Sequence, residues 1–482
     1  MYDKLFSLCA FSAEDLERER PRIQKAFDRV GLSEEDIQRG VERIETFYDT
    51  RLEGVRRLLG VWMKEFICVV LADEERQKII YSTVPSIGGN PAAVANVISK
   101  DFYAGFPDIV LLAVMGGIFG KIDGFLEEAE KHALPSGHAH CGVNQLRLGR
   151  YLLDAVPKPD LHISWAVFCD EAPKVDDIIS EYFQIPTIVV NRCQDGWTVR
   201  DGLPQVPERS INYAAEEIKR VVDRMGETLG ITITDDMLMG SVLKLFELYD
   251  FWVEIGLLLK TDPIPISQVD LNLLHWATVI CFQDYDELIK ACSILLEETK
   301  ERVNKGIGVL EKGAPKVFFA GVSSISDPSL VKMLEDLGVG VNSTEYQVFG
   351  PEGGPRLNLG DVGELAKLGP YQIIARIFSK NNVFGGLAPQ IETLKKAFRY
   401  WMVDGVLWYL QTNCRTYSTS ALMIKDAIRK ETPDLPFMIL EGDVYDPRSY
   451  STEQLRVRLE TFADMVQIKK KTKKEQIKHS LV

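Results

Sequence analysis

Apolar positions follow two different spacings along this chain of 482 residues. In the first 60 residues they recur at helical spacing among Glu and Arg, which predicts amphipathic helices. Farther along, short apolar runs alternate with helical patterns, and this alternation is typical of parallel sheets covered by helices. We therefore predict an α/β protein with two parallel-sheet domains, a helical N-terminal region and a helical segment between the domains. The predicted divisions, in chain order, are residues 1–60 (helical N-terminal region), 61–200 (first α/β domain), 201–310 (helical connecting segment), 311–468 (second α/β domain) and 469–482 (lysine-rich, solvated tail).

Individual elements follow from the same patterns and from the turn residues between them. Capping signals support two helix starts, Ser33 before three acidic residues and Thr234 before a long apolar pattern. The apolar run 109–120 is too short to span a bilayer and is predicted to be a buried core segment. The predicted strands are 78–84, 161–168, 186–190, 316–321, 406–410 and 437–440. The predicted helices after the N-terminal region are 92–103, 173–183, 211–229, 235–260, 269–304, 328–337, 420–430 and 451–466.

Composition narrows the class of function. The net charge of −14 argues against general nucleic-acid binding, because the phosphate backbone is held mainly by basic side chains. The eight cysteines are widely spaced and do not form the pattern of a secreted disulfide framework. The N-terminus lacks the basic start and apolar run of a signal peptide. We therefore expect a cytoplasmic protein with no membrane segment and no nucleic-acid partner.

Three cysteines have a context that suits metal binding. Cys169 and Cys414 each follow an apolar run and a loop and precede a helical pattern, and Cys141 also precedes one. Unpaired N–H groups and the helix dipole at such positions favour the thiolate that a metal needs. Three ligands from separate loops suit an iron–sulfur cluster with one open position, whereas zinc sites more often contain CxxC pairs. For any single cysteine, burial as a small apolar residue is the alternative.

At this point the sequence resembles the 2-hydroxyacyl-CoA dehydratase and benzoyl-CoA reductase family, which includes the double-cubane cluster proteins. The resemblance covers about residues 70–468 and depends on the order and spacing of four segments, of which the last is the most specific. They are 136–141 (SGHAHC), 157–174 (ending CDEAPK), 413–418 (NCRTYS) and 440–462 (beginning LEGDVYDPR).

The resemblance implies two flavodoxin-like domains and a [4Fe-4S] cluster held by Cys141, Cys169 and Cys414. It also implies a homologous partner subunit in a homo- or heterodimer, and an ATP-hydrolysing iron–sulfur activator that supplies a low-potential electron. The reaction would be an oxygen-sensitive radical dehydration or reduction of an acyl-CoA. This chain itself shows no GxxxxGK loop, because the glycines and lysine of residues 116–121 have the wrong spacing.

One segment departs from the family. Many dehydratase subunits carry a Tyr-x-Pro-Glu-Glu-like segment after the first strand, whereas residues 81–89 read YSTVPSIGG. The missing glutamates leave three alternatives open. The chain could be an electron-relay subunit without chemistry of its own, a subunit of a benzoyl-CoA reductase-like enzyme, or a double-cubane reductase that acts on small molecules without CoA.

Two histidines and two cations lie next to the candidate ligands. His138 and His140 could donate a hydrogen bond to cluster sulfur or transfer a proton near neutral pH, and both are candidate catalytic residues. A loop histidine bonded to backbone or water is the alternative for each. Lys174 and Arg415 could offset the negative charge of a thiolate-bound cluster, or be solvated cations at helix starts.

The remaining candidates are interpreted more simply. Asp443 and Arg448 are predicted to form a structural ion pair. Arg147 and Arg150 are a weak sign of a basic surface for acyl-CoA. Cys193, after a strand of the first domain, is the best rival ligand. The other cysteines are predicted to be packing residues: Cys9, Cys68, Cys281 and Cys292.

Overall fold

The fold is described from a computed structural model over residues 2–83, 98–135, 140–166, 170–191, 198–200, 203–321, 325–349, 367–380, 386–443, 445–449 and 451–480. Its helices, in chain order, are α1 (Tyr2–Leu8), α2 (Ala13–Arg29), α3 (Glu34–Phe47), α4 (Glu53–Val70), α5 (Ala72–Glu75), α6 (Pro107–Leu111, continued by a π-helix at Leu112–Ile118), α7 (Asp123–His132), α8 (Gly142–Leu152), α9 (Glu171–Phe183), α10 (Glu208–Leu229), α11 (Asp235–Leu258), α12 (Gln268–Ile280), α13 (Tyr285–Lys305), α14 (Ser329–Asp336), α15 (Glu345–Phe349), α16 (Pro370–Lys380), α17 (Leu387–Tyr400), α18 (Arg415–Glu431) and α19 (Thr452–Ser480). None of the described helices combines the length and the apolar character needed to cross a bilayer.

The strands form two separate parallel sheets. In chain order they are β1 (Lys78–Ser82), β2 (Phe102–Gly105), β3 (Leu161–Ala166), β4 (Thr187–Asn191), β5 (Thr198–Arg200), β6 (Leu203–Gln205), β7 (Lys316–Ala320), β8 (Gly340–Thr344), β9 (Gly405–Gln411) and β10 (Phe437–Gly442). The first sheet has the order β2-β1-β3-β4 and the second the order β10-β9-β7-β8. All pairs within these two sheets are parallel, while β5 and β6 form a small antiparallel hairpin. The predicted fold class, α/β with two parallel sheets, is confirmed.

Successive residues of a strand pack into different hydrophobic cores, because side chains alternate between the two faces of a sheet. On β9, Leu407 and Tyr409 belong to one large core that also contains the N-terminal helices, while Val406 and Trp408 face a smaller core under α17 and α18. A third core lies between the first sheet, α10 and α16. The large core therefore joins the inner faces of both sheets to the helical layer.

The helical layer begins as predicted. Ser33 caps α3 and forms a reciprocal capping box with Asp36. The apolar run 109–120 is buried, as predicted, in α6 and its π-helical continuation. The single helix predicted for 269–304 is wrong, since α12 and α13 are separate. The side chain of Asp284 caps the start of α13 by accepting the N–H of Glu287 at 3.3 Å, which explains the break.

Three other predictions differ from the structure. The helix predicted for 92–103 is wrong at its end, where Phe102 and Tyr103 belong to β2, and β8 was not predicted at all. Both strands are short and are defined by pairing with a central strand. The lysine-rich tail was expected to be solvated, but α19 continues through it, and Lys470 pairs with Asp404 at 2.7 Å. The domain divisions remain predictions.

Candidate functional site

Cys414 lies at the carboxyl end of the second sheet, between β9 and α18. Its backbone N–H donates to the carbonyl of Gln411 at 2.9 Å, and its own carbonyl accepts the N–H of Ser418 at 2.9 Å. It therefore caps α18, which begins at Arg415 rather than at residue 420 as predicted. The thiol is partly buried and lies beside the N–H groups that lack partners in the first turn of a helix.

Cys141 caps the start of α8 in the same way. Its carbonyl accepts the N–H groups of Asn144 at 3.0 Å and Gln145 at 3.2 Å, and its thiol is partly buried. The next residue, Gly142, touches the turn that follows β10. A Cβ atom built on Gly142 would lie 2.7 Å from the carbonyl oxygen of Tyr445. Glycine is therefore required here by close approach of two backbones.

The turn after β10 is organised by Asp443, whose side chain is completely buried. Its carboxylate accepts the backbone N–H groups of Gly142 and Tyr445, each at 2.9 Å. It also accepts hydrogen bonds from the side-chain amides of Gln411 and, at 3.4 Å, Asn413. Four donors therefore surround one buried carboxylate.

These hydrogen bonds join the two cysteine loops. Gly142 directly follows Cys141, and Asn413 directly precedes Cys414, so Asp443 contacts both loops. Gly142 and Asp443 are 301 residues apart in the chain, which is why no local pattern could reveal the contact. Burial raises the pKa of Asp443, although the hydrogen bond from Gly142 and the other donors oppose this rise.

The predicted ion pair between Asp443 and Arg448 is wrong. Arg448 pairs with Asp446, with 2.8 Å between Nε and Oδ1, and with Glu130 of α7, with 2.6 Å between Nη2 and Oε1. Several carboxylates were available to Arg448, and only the tertiary structure decided among them. Arg448 therefore connects the turn after β10 to α7.

Both cysteines lie near one buried phenol. Tyr445 is 8% exposed, and its pKa is raised well above the ordinary value by burial and then by Tyr346, Cys141, Asp443 and Cys414. Both thiols are therefore within electrostatic range of the same hydroxyl group. The structure thus brings together two of the three predicted ligands, around a tyrosine to which the sequence patterns assigned no role.

The third predicted ligand, Cys169, and the candidate catalytic residue His138 lie outside the described residues. The second candidate, His140, is described, and its Nδ1 is 2.9 Å from Oε1 of Glu171. Glu171 opens α9 and comes two positions after Cys169 in the sequence. The loop before Cys141 is therefore bound to the carboxyl edge of the first sheet, as Gly142 is bound to that of the second.

Of the two cations predicted to lie near the cysteines, only the side chain of Lys174 is described. Lys174 forms an exposed pair with Asp170 at 3.6 Å, and its side chain is 69% exposed, which fits the alternative of a solvated cation. The side chain of Arg415 and the rival ligand Cys193 lie outside the described part of the chain.

A buried ionic cluster lies farther along the helix that Cys141 caps. Arg147 of α8 pairs with Asp108 of α6 at 2.9 Å and with Asp176 of α9 at 3.4 Å. Arg150 of α8 also pairs with Asp108, and all four side chains are at most 1% exposed. The cluster therefore fixes α8 against α9.

This cluster corrects the interpretation of Arg147 and Arg150 as a basic surface. Both guanidinium groups are buried and neutralised by aspartates, so neither is available to an acyl-CoA phosphate. Although burial opposes the change, Arg147 and then His162 lower the pKa of Asp176 to about 2. Asp108, directly before the apolar run 109–120, was the sequence signal for such a cluster, because a buried carboxylate needs a partner.

The cysteines predicted to be packing residues are indeed buried. Burial raises the pKa of the thiol to about 12 for Cys9 and to about 11 for Cys68, and raises it strongly for Cys281 and Cys292. A protonated, enclosed thiol is a poor metal ligand. Cys141 and Cys414 therefore differ from these four in both exposure and position.

The described residues fit part of a cluster site. No group of three or more Cys, His, Asp or Glu side chains within the described ranges is arranged to hold a metal ion, and these ranges exclude Cys169. The two described candidates nevertheless have suitable chemistry, with partly buried sulfur atoms at two helix starts. The nearby carboxylate of Asp443 is already occupied by four donors, so it does not compete as a ligand.

The fold and the site together define a class of protein with two parallel α/β sheets, in which Asp443 joins the loop before α8 to the loop after β9. The family model for the 2-hydroxyglutaryl-CoA dehydratase D-component matches residues 103–466. The chain therefore belongs to this family, and the resemblance seen in the sequence is confirmed.

Individual relatives have low sequence identity to this chain, but the matches cover most of its length. The chain is 22% identical over 322 residues to lactoyl-CoA dehydratase subunit alpha of Anaerotignum propionicum, covering 65% of this chain and 70% of the relative. It is 21% identical over 340 residues to the (R)-phenyllactyl-CoA dehydratase alpha subunit of Clostridium sporogenes, covering 69% and 77%. It is 22% identical over 378 residues to a benzoyl-CoA reductase subunit of Thauera aromatica, covering 74% and 83%. This chain is thus a subunit of the dehydratase and reductase type.

Proposed function

We propose that this chain is an oxygen-sensitive iron–sulfur subunit that acts on an acyl-CoA, with Cys141, Cys169 and Cys414 as ligands of a [4Fe-4S] cluster. The observation that carries the proposal is the meeting of the Cys141 and Cys414 loops at Asp443 and Tyr445. The relatives' names support the substrate class, since they are acyl-CoA dehydratases and a benzoyl-CoA reductase.

The protein prepares the site in three ways. The N–H groups at the starts of α8 and α18 favour the thiolate forms of Cys141 and Cys414. Asp443 fixes the spacing of the two loops, because its four hydrogen bonds leave the carboxylate no freedom to move. Tyr445, which both thiols influence electrostatically, is 8% exposed and adds a buried aromatic side chain to this region. When bound, an iron–sulfur cluster would supply a single electron at low potential.

His140 is the described residue best suited to transfer a proton. Its Nδ1 faces Glu171 at 2.9 Å, and a carboxylate at this distance favours the tautomer that carries the proton on Nδ1. The other ring nitrogen, Nε2, can then accept a proton from a substrate carbon or hydroxyl. Its side chain is 23% exposed, so the ring can be reached. His138 remains a second candidate for this role.

The electron must come from elsewhere, so two partners complete the proposal. One is an ATP-hydrolysing iron–sulfur activator, and the other is a homologous subunit. Membership of the dehydratase and reductase family supports both proposals. Removal of water from a 2-hydroxyacyl-CoA and reduction of an unsaturated acyl-CoA both fit this arrangement.

The test is the iron and acid-labile sulfide content of protein purified without oxygen. We expect about four irons per chain, as a [4Fe-4S] cluster requires, and their loss in Cys141→Ala, Cys169→Ala and Cys414→Ala. Cys292→Ala is the matched control, because this buried thiol lies inside a helix, and it should retain the iron. Iron retained in all three ligand variants, or absent from the wild type, would overturn the proposal. Sulfide in excess of iron would instead favour the double-cubane alternative.

A further inference from the structure

A cavity of about 580 Å³ lies between α2, α4 and the start of α13. Its floor is a face of α4 that includes Arg57, Gly60 and Lys64, and its walls include Arg22 and Glu287. The volume falls within the range of about 300–1,000 Å³ that is typical of small-molecule sites. This cavity has no part in the site described above.

The cavity lies at the opposite edge of the first sheet from the cysteine loops. Arg76 and Lys100, which line it, come shortly before β1 and β2. Both residues therefore mark the amino edge of the parallel sheet. Glu171, which binds His140, marks its carboxyl edge. A strand of five residues separates these edges by roughly 17 Å, so the cavity lies apart from the cysteine loops.

The cations of the cavity outnumber its carboxylates. Each carboxylate of the lining is paired with a cation of the lining: Asp15 with Arg18, Glu19 with Arg22, Asp284 with Lys64, and Glu287 with Arg57. Three further cations of the lining, Arg76, Lys100 and Lys290, form no ion pair with a carboxylate of the described residues, although buried Glu65 lies within electrostatic range of Arg76. Two arginines of the lining also contact carboxylates just outside it, Arg22 with Glu75 and Arg57 with Glu53. The lining itself carries more cations than carboxylates, on a chain whose net charge is −14.

Two buried donors of the lining also lack acceptors. Arg76 donates to the carbonyl of Lys100 and, at 3.3 Å, to Oε1 of Gln283. Its Nε and the Nε2 of Gln283 are buried and have no hydrogen-bond partner in the described structure. Leaving a buried donor unpaired destabilises a protein, and both atoms need an acceptor. An anion with several oxygen atoms would satisfy these donors and the three unpaired cations together.

We propose that this cavity binds a small phosphate-bearing molecule, with Arg76, Lys100, Lys290 and Gln283 contacting the phosphate oxygens. Planar guanidinium groups and lysine ammonium groups together are the usual protein donors to phosphate. The phosphate could belong to a free nucleoside diphosphate or to the nucleotide end of a CoA thioester. The inference does not depend on the proposed iron–sulfur function, because it uses none of the cysteine loops.

The test is isothermal titration calorimetry of the full-length protein with pyrophosphate, ADP and adenosine 3′,5′-bisphosphate. We expect saturable binding that weakens at least tenfold in Arg76→Gln and in the double variant Lys100→Ala/Lys290→Ala. The matched control is Lys312→Ala/Lys430→Ala, which removes the same charge from exposed positions and should bind as the wild type does. Binding of ADP and pyrophosphate would identify a diphosphate site, and binding of adenosine 3′,5′-bisphosphate alone would identify a site for the nucleotide of CoA.

Two results would overturn the inference. One is the absence of saturable binding of all three probes at millimolar concentration. The other is equal weakening in the control variant, which would show diffuse attraction by surface charge. Iron content measured on the same variants should be unchanged, so that failure here is distinguishable from failure of the proposed function.

Discussion

The amino end and the middle of α8 hold buried charge in opposite ways. At its amino end, the N–H of Gly142 donates to Asp443, whose partners are all neutral donors. In its middle, Arg147 is neutralised by two aspartates, one of which is Asp176. The pKa of Asp443 is raised by burial, whereas charged partners lower that of Asp176 to about 2. The nature of the partners, more than burial itself, therefore decides the charge state of a buried aspartate.

This difference explains how one helix can serve two purposes. The ionic cluster in the middle of α8 stabilises the packing of α8 on α9. At the amino end, Cys141 occupies the cap position of the helix, where backbone N–H groups and the helix dipole favour a thiolate. The ionic cluster thus stabilises the middle of α8, whereas the amino end of α8 carries the candidate metal ligand Cys141.

Removing a carboxylate from the ionic cluster should have the largest effect. Asp108→Asn leaves Arg147 and Arg150 without one of their buried partners, and we expect a loss of about 3–5 kcal/mol in the free energy of unfolding. Urea denaturation followed by circular dichroism measures this loss. Asp223→Asn breaks an exposed pair with Lys219 and should change the free energy of unfolding far less, because solvent screens an exposed pair. Similar losses in both variants would contradict the buried cluster.

A smaller effect is expected at the amino end of α8. Gly142→Ala places a methyl group 2.7 Å from the carbonyl oxygen of Tyr445, and such overpacking costs about 1–3 kcal/mol. The separation of the Cys141 and Cys414 loops should also change, so iron content should fall. Gly240→Ala is the control, because nothing lies within 4 Å of its added Cβ and alanine is the better helix former. A Gly142→Ala protein as stable as the wild type, with full iron content, would show that the two loops are not in tight contact.

The smallest effect is the response to acid. The pKa of Asp176 is about 2 in the folded protein, below its ordinary value of 3.8, so its contribution is present above about pH 4. It is lost as the pH falls towards 2, and amounts to at most about 2 kcal/mol. Asp443, with a raised pKa, acts in the opposite direction and loses its contribution as the pH rises. Unfolding measured between pH 2 and 5 should therefore depend less on pH in Asp176→Asn than in the wild type. An identical pH dependence in both proteins would rule out this role for Asp176.

Much of the fold could be predicted from local patterns. The strands of both sheet centres and the long helices follow from apolar spacing, because a strand buried on both faces needs a continuous apolar run. The short strands β2 and β8 were missed, since their residues become strands only through pairing with β1 and β7. The break between α12 and α13 was missed because the sequence continues its helical spacing across Asp284.

The candidate site also has features that local sequence patterns predict and features that depend on tertiary contacts. By itself, the sequence determined that Cys141 and Cys414 precede helices, because the helical patterns that follow them are local, although the start of α18 was predicted five residues too late. Only the tertiary structure decided that Asp443 joins their loops, that both thiols lie within electrostatic range of Tyr445, and that Arg147 is buried. These contacts connect segments as much as 301 residues apart, and their partners were chosen by the packing of the two sheets against one core.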